Sequence, residues 1–177
     1  MEIKPLIESL LFVADEPVAV GRLASAIGVS REAVEEALRE LNEEYEHRGL
    51  RLQRNGEQVQ MVTAPEAAPY IERFLDLNMG SKLSPAALET LAIVAYQQPI
   101  TRAQIEAVRG VSCDSVLRTL ISKGLVEEVG RLPQAGRPIL YGTTFEFLQH
   151  FGLRDLDELP PLEEEGPATS FERILGE

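Results

Sequence analysis

An internal repeat constrains this chain more than any motif it contains. The run Ile7-Glu8-Ser9-Leu10-Leu11-Phe12-Val13-Ala14 returns as Leu88-Glu89-Thr90-Leu91-Ala92-Ile93-Val94-Ala95, a shift of 81. After one inserted residue the register becomes 82, which pairs Pro17 with Pro99, Leu23 with Ile105, Gly28 with Gly110, Val29 with Val111, Ser30 with Ser112, Val34 with Val116 and Leu38 with Leu120. Agreement in fixed register at proline, glycine, capping and apolar positions is the mark of a tandem duplication. The two copies must therefore share a fold. Each holds about 70 residues, a size at which a single core is marginal, so packing against a twin, another chain or a ligand is expected.

The second copy carries the clearer local signals. Ser84 can cap a helix with Pro85 in its first turn, where a missing N–H is harmless, and Leu88, Leu91, Val94 and Ala95 recur at helical spacing. Gln98-Pro99 stops that helix. Thr101-Arg102-Ala103-Gln104 has the form of a capping box, Arg109-Gly110-Val111 breaks the short helix it opens, and Ser112 is placed to cap a third helix bearing Val116, Leu117, Leu120 and Ile121. After Lys123-Gly124 the period changes to that of strands, over 125–129 and 139–143, joined by a loop rich in Pro and Gly. A helix-turn-helix followed by a hairpin is a winged helix. Thr144 then caps a last helix with Phe145, Leu148 and Phe151 toward a core and Gly152 past its end.

The first copy repeats this plan with weaker signals. Its first helix places Ile3, Leu6, Ile7, Leu10 and Val13 on one face, while at about 100° per residue Phe12 points away from it. Leu23, Ala24 and Ile27 form a short helix closed by Gly28, and Ser30 caps a longer one with Val34, Leu38, Leu41 and Tyr45 inward. The outward face of that helix is acidic, with Glu32, Glu35, Glu36, Glu40, Glu43 and Glu44. Leu50, Leu52, Val59 and Met61 alternate around Asn55-Gly56, a pair suited to a type I′ hairpin turn. Pro65 opens a final helix with Ile71, Phe74 and Leu75, and Asn78-Met79-Gly80-Ser81 reads as a polar hinge.

The second copy also resembles a known family. Ala87 to Tyr96, Gln98-Pro99-Ile100-Thr101-Arg102, Arg109-Gly110-Val111, Gly136-Arg137-Pro138 and Leu140-Tyr141-Gly142-Thr143-Thr144, with Phe147-Leu148 and Phe151-Gly152-Leu153, are similar to the signature of the ScpB family of bacterial segregation and condensation proteins. The resemblance runs from about Ile3 to Pro160. It implies a subunit without catalytic activity in an SMC–kleisin complex: a homodimer that grips the kleisin ScpA and reaches the SMC protein through it, in the cytoplasm at the nucleoid. The expected organisation is an α+β, mostly helical chain with two tandem winged-helix domains. Residues 1–79 form the first and serve dimerisation, 80–83 link, 84–153 form the second and bind kleisin, and 154–177 are an acidic flexible tail. Within the tail, Phe171 to Leu175 has apolar residues at helical spacing but is short for a docking helix.

Charge separates the uses of a winged helix. The net charge of −12 divides into −7 over residues 1–79, +1 over 80–83, +1 over 84–154 and −7 over 155–177. A DNA reader neutralises several phosphates with a basic stripe, whereas the third helix of the first copy would set its carboxylates against them. In the second copy Arg102, Arg109, Arg118, Lys123, Arg131 and Arg137 could gather on one side, or be offset by Glu106, Asp114, Glu127 and Glu128. A transcriptional regulator acting through the second copy is the alternative function, and DNA contact is expected to be weak or indirect at most.

Nothing points to catalysis, a cofactor or a metal. His47 and His150 have no metal-ligand spacing to Cys or His, no Ser-His-Asp order appears, and no Gly-rich loop cradles a phosphate. Cys113, just after a cap, could have its thiol activated by a helix dipole or be a small residue at a helix start. No apolar run approaches the roughly 20 residues that span a bilayer. What remains is surface. Phe12 and Ile93 fall opposite the main stripe of their helices and are interface residues unless a sheet or last helix covers them. With the family signature they give the expected contacts: Leu11 and Phe12 for dimerisation, and Ile93, Tyr96, Arg137 and Tyr141 for the kleisin. Arg137 is the residue of its wing loop able to pair with a carboxylate.

Overall fold

In the computed structural model, which describes residues 2–75 and 83–161, both copies run through the same series of elements. The first has α1 (Ile3–Val13), β1 (Val18–Ala19), α2 (Val20–Ile27), α3 (Arg31–Glu44), β2 (Leu50–Asn55), β3 (Gln58–Thr63), a 3₁₀ turn (Pro65–Ala67) and α4 (Ala68–Phe74). The second has α5 (Pro85–Gln97), β4 (Ile100–Thr101), α6 (Arg102–Arg109), α7 (Asp114–Ser122), β5 (Val126–Arg131), β6 (Ile139–Thr143), α8 (Phe145–Phe151) and a 3₁₀ turn (Leu156–Glu158). The chain divides into two compact units, Met1–Met79 and Gly80–Glu177. The hinge read at Asn78–Ser81 and the Phe171–Leu175 segment lie outside the described residues.

Each unit closes a three-stranded antiparallel sheet, in the orders β1-β3-β2 and β4-β6-β5. The pairings Val18↔Val59 and Ala19↔Gln58 reappear as Ile100↔Tyr141 and Thr101↔Leu140, every residue moved by 82. A strand ahead of the helix-turn-helix thus ties the far strand of the wing to the helices. This is the arrangement of a winged helix in both units.

Between these matched ends the register slips. Leu52 faces Met61 in the first wing, and Val126 faces Thr143 in the second. From Ser30 to Leu52 the chain is eight residues longer than from Ser112 to Val126, and from Leu52 to Met61 it is eight residues shorter than from Val126 to Thr143. The second copy has a shorter third helix and a longer wing. Part of the extra wing is a bulge between Glu128 and Gly130, which leaves Val129 half exposed.

Capping residues set the helix starts. The backbone amides of Ala33, Ala87, Gln104 and Phe147 donate to the hydroxyls of Ser30, Ser84, Thr101 and Thr144, each contact stabilising its helix by about 1 kcal/mol. Gln104 completes the capping box by accepting from the Thr101 amide. Gly28, Gly110 and Gly152 close α2, α6 and α8 in the left-handed conformation.

Several expectations need correction. Ser112 does not cap α7: its hydroxyl donates to the Glu106 carboxylate, which also accepts the Cys113 amide, so the helix begins one residue later with Cys113 as its cap. The first wing turns on Gly56-Glu57 rather than Asn55-Gly56, because Asn55 pairs with Gln58 and Gly56 alone takes a positive φ, the first-position glycine of a type II′ turn. Val13 is not a core residue; α1 buries Ile7 and Leu11 instead. Leu83, read as linker, packs on the second core. The second unit does not end at Leu153, since Leu156 and Leu159 also pack against it.

One side chain fastens the second unit together. Gln98, just past α5, donates its amide to the Thr143 hydroxyl (3.0 Å) and the Ala95 carbonyl (3.1 Å) and accepts from the Thr143 backbone N–H (2.8 Å). It can lie there because position 142 has no side chain. A methyl on Gly142 would come within 2.9 Å of both the Gln98 Oε1 and a Val129 methyl. Gly142→Ala is therefore expected to lower unfolding stability by about 1–3 kcal/mol, as overpacking does. Denaturant titration checks this, and Gln98→Ala in the same background should recover part of the loss.

Candidate functional site

The two units differ most in what covers their first helices. In the second, α5 buries every residue from Ala87 to Ala95 except Glu89. Ile93 is 1% exposed and shares its core with Phe145, Phe147, Leu148 and Phe151 of α8. Ile93 is thus a core residue, and the surface role expected for it is corrected: the far side of its helix is sealed within its own unit. Phe147 and Phe151 pack with ring centroids 5.0 Å apart, and full burial of one such ring is worth about 1.5–3 kcal/mol.

In the first unit the corresponding side is bare. Leu11 is 4% exposed and belongs to the core, which corrects its reading as a dimer contact. Its neighbours Phe12 and Val13 are 79% and 71% exposed. The segment after the wing cannot cover them from a core position, since it begins Pro65-Glu66-Ala67-Ala68-Pro69 and has nothing large there. None of α4 is buried; Tyr70, Phe74 at 85% and Leu75 all face solvent. Large apolar groups exposed in this number on one small unit point to an interaction surface. The angle of Phe12 on α1 marks it in the sequence, whereas no periodic signal marks Tyr70, and the spacing of Phe74 with Ile71 points to a packing helix instead.

α1 itself is firmly seated. Lys4 bridges Glu40 (2.9 Å) and Glu44 (2.6 Å) of α3, and those hydrogen bonds hold its ammonium well above the ordinary lysine range. The Tyr45 hydroxyl donates to the Glu8 carboxylate. Burial, then that carboxylate, pushes the Tyr45 phenol up to about 12.

The remaining residues expected at a kleisin contact are placed differently from one another. Tyr141 is buried between β4 and β5, and burial raises its phenol pKa, so it supports the wing from inside rather than presenting a surface. Tyr96 is half-buried and donates its hydroxyl to the Pro160 carbonyl at 2.5 Å. Arg137 is exposed on the wing loop. Its φ of 40° follows Gly136 at 80°, and its amide donates to the Gln134 carbonyl. A non-glycine residue held there carries about 1 kcal/mol or more of strain. No ion pair holds its guanidinium among the described residues.

Most charges are already matched. On α3, Arg39 pairs with Glu36 and Glu43, and Arg54 takes Glu35 through two hydrogen bonds of 2.6 and 2.9 Å; the arginines hold the Glu35 and Glu36 carboxyls below their usual range. In the second unit Arg102 and Arg118 share Asp114, Arg109 pairs with Glu89, and Arg131 lies 4.0 Å from Glu128. Of the six cations that could have lined a DNA face, Lys123 and Arg137 are left without an ion pair among the described residues. Each matched surface pair contributes about 0–1 kcal/mol, so their main effect is to flatten the local field.

Catalytic groups are not assembled among the described residues, where no cluster of His, Cys, Asp or Glu could hold a metal ion. The Cys113 thiol is fully buried, and burial followed by the Glu106 charge raises its pKa, the opposite of an activated thiol. No described helix is long and apolar enough to cross a membrane.

Comparison with known proteins gives a consistent result. Residues 5–162 match the family described as segregation and condensation complex subunit ScpB. The segregation and condensation protein B of Desulforamulus reducens is 52% identical over 163 residues, covering 91% of this chain and 90% of that protein. That of Moorella thermoacetica is 51% identical over 176 residues, covering 98% and 90%. Among solved structures, ScpB from Mycobacterium tuberculosis is 42% identical, covers 86% of this chain and 96% of its own, and superposes with a TM-score of 0.41. A dimer of ScpB N-terminal domain complexed with ScpA peptide is 28% identical over 43% of this chain and 94% of its own, with a TM-score of 0.39.

The charge pairing gives a direct test against DNA reading. Two unpaired cations would cost about tenfold in affinity between roughly 50 and 200 mM salt. The protein is expected to bind a short duplex weakly, with that salt slope and without sequence preference, in fluorescence anisotropy. A tight, sequence-selective complex at physiological salt would contradict it.

Proposed function

The chain belongs to the family of the segregation and condensation complex subunit ScpB, and on that premise we propose that it is a non-catalytic, dimeric holder of the kleisin ScpA in a bacterial SMC complex. It reaches the ATP-hydrolysing SMC protein through ScpA and supports chromosome condensation and segregation at the nucleoid. The first unit dimerises. The observation that carries this is the uncovered side of α1, with Phe12 and Val13 exposed, together with an α4 that buries nothing of its own. A second copy is the natural cover, since an isologous contact lets one apolar face satisfy itself twice.

The second unit makes most of the kleisin contact. Its core is complete without a partner, its charge is close to neutral, and it presents Arg137 on a preset wing loop. A dimer then offers two such units to one kleisin. Once the first has bound, the second contact is intramolecular, which raises the effective affinity well above that of either unit. Two of these chains per ScpA is the expected ratio.

Phe12→Glu and Phe74→Glu should each remove about 2 kcal/mol of apolar burial, weakening self-association about 30-fold in analytical ultracentrifugation. A dimer of unchanged strength would refute the α1 face. Deleting residues 84–161 should sharply weaken ScpA capture while leaving the dimer, and Arg137→Glu should weaken capture with the circular dichroism unchanged. Undiminished capture by the deletion would reverse the division of labour.

A further inference from the structure

We propose that Arg137 is held in a strained backbone conformation so that its guanidinium can take one carboxylate of ScpA in a two-pronged contact. The proposal rests on the reading that the second unit makes most of the ScpA contact, and it adds the chemistry of the group received. Its basis is the loop that joins β5 to β6. The Arg137 amide donates to the Gln134 carbonyl at 2.9 Å, closing a turn whose third residue, Gly136, takes a φ of 80°. One residue past Arg137, the Pro138 carbonyl accepts the Leu132 amide at 3.0 Å. Both flanks of Arg137 are thus tied down, and the proline ring that follows it disfavours the right-handed helical conformation at position 137. The reversal of the chain is left to Arg137 itself, at a φ of 40°.

Glycine adopts such an angle freely, whereas a side chain there lowers the folding equilibrium several-fold. Nothing that the Arg137 side chain does within the fold offsets this. It is exposed, and among the described residues its guanidinium makes no hydrogen bond or ion pair. Strain that the fold itself does not use gathers at places that clamp a ligand.

The surroundings select that ligand. Residues 126–143 carry Glu127, Glu128, Arg131 and Arg137, a balance of zero, and Arg131 already lies 4.0 Å from Glu128. A duplex is held by several cations that together displace its counterions. A single planar fork on a neutral hairpin fits a single carboxylate instead, which accepts two parallel N–H bonds from it.

The test compares Arg137→Ala, Arg137→Gly and Arg137→Lys in the full chain, by denaturant titration and by calorimetric titration with ScpA. Arg137→Ala keeps the strain and should unfold as the wild type does. Arg137→Gly should raise the folding equilibrium constant about two- to fivefold, the relief of strain being partly offset by the freedom that glycine gives the unfolded chain. Both should weaken ScpA binding about 10- to 100-fold, the worth of hydrogen bonds to a charged group, and Arg137→Lys should bind more like the alanine variant than like the wild type. A destabilised alanine variant would assign the side chain to the fold and overturn the proposal. So would a lysine variant that binds as the wild type does, since a point charge would then suffice. An alanine variant that keeps its ScpA affinity and loses only its weak binding to duplex DNA would assign the guanidinium to phosphate, which also overturns it. Hydrogen exchange of the wild-type complex separates this failure from that of the underlying reading. If all three variants bind normally, protection of second-unit amides by ScpA would overturn the role of Arg137 alone, and absence of that protection would overturn the role of the unit as well.

Discussion

Everything distinctive in this molecule follows from whether the far side of a buried helix is covered. A module of about 70 residues cannot surround its first helix with its own sheet and helices unless every element contributes bulk. The second unit meets that demand with four large side chains on α8, and α5 is enclosed on nearly all sides. The first unit does not. Its post-wing helix has small residues where α8 has phenylalanine, and its aromatic residues point outward. One copy encloses its first helix and the other leaves a large apolar face exposed.

Much of the fold could be read from the residues because the relevant signals are local. Serine and threonine caps, proline at a first turn and glycine just past a helix end act within a few residues. The repeat register then carried those readings from the clearer copy to the weaker one. The places where reading failed are those where a distant group intervenes. Ser112 lost its capping role to a carboxylate on the neighbouring helix, and Asn55 was drawn into the strand ladder by Gln58.

The candidate surfaces were only partly legible for the same reason. An angle on a helical wheel separates Phe12 from Ile7, but it cannot say whether another element sits opposite; Phe12 and Ile93 have the same angle and opposite fates. Tyr141 and Leu11 looked like contact residues and are packed inside. The stretch after Leu153 is acidic and proline-broken, which correctly lowers the expectation of a helix. Two leucines three residues apart were nevertheless enough to seat it.

The eight residues by which the two copies differ in the wing also change which part of each unit reaches furthest from its core. At about 1.5 Å per residue, α3 is roughly 21 Å long and α7 roughly 13 Å. In winged helices that read nucleic acid, the third helix is the probe that enters the major groove. The copy with the clearer capping signals has the third helix shorter by five residues, and its wing is longer by eight. The second copy thus projects less helix and more hairpin than the first, which moves the most extended part of its surface from the third helix to the wing.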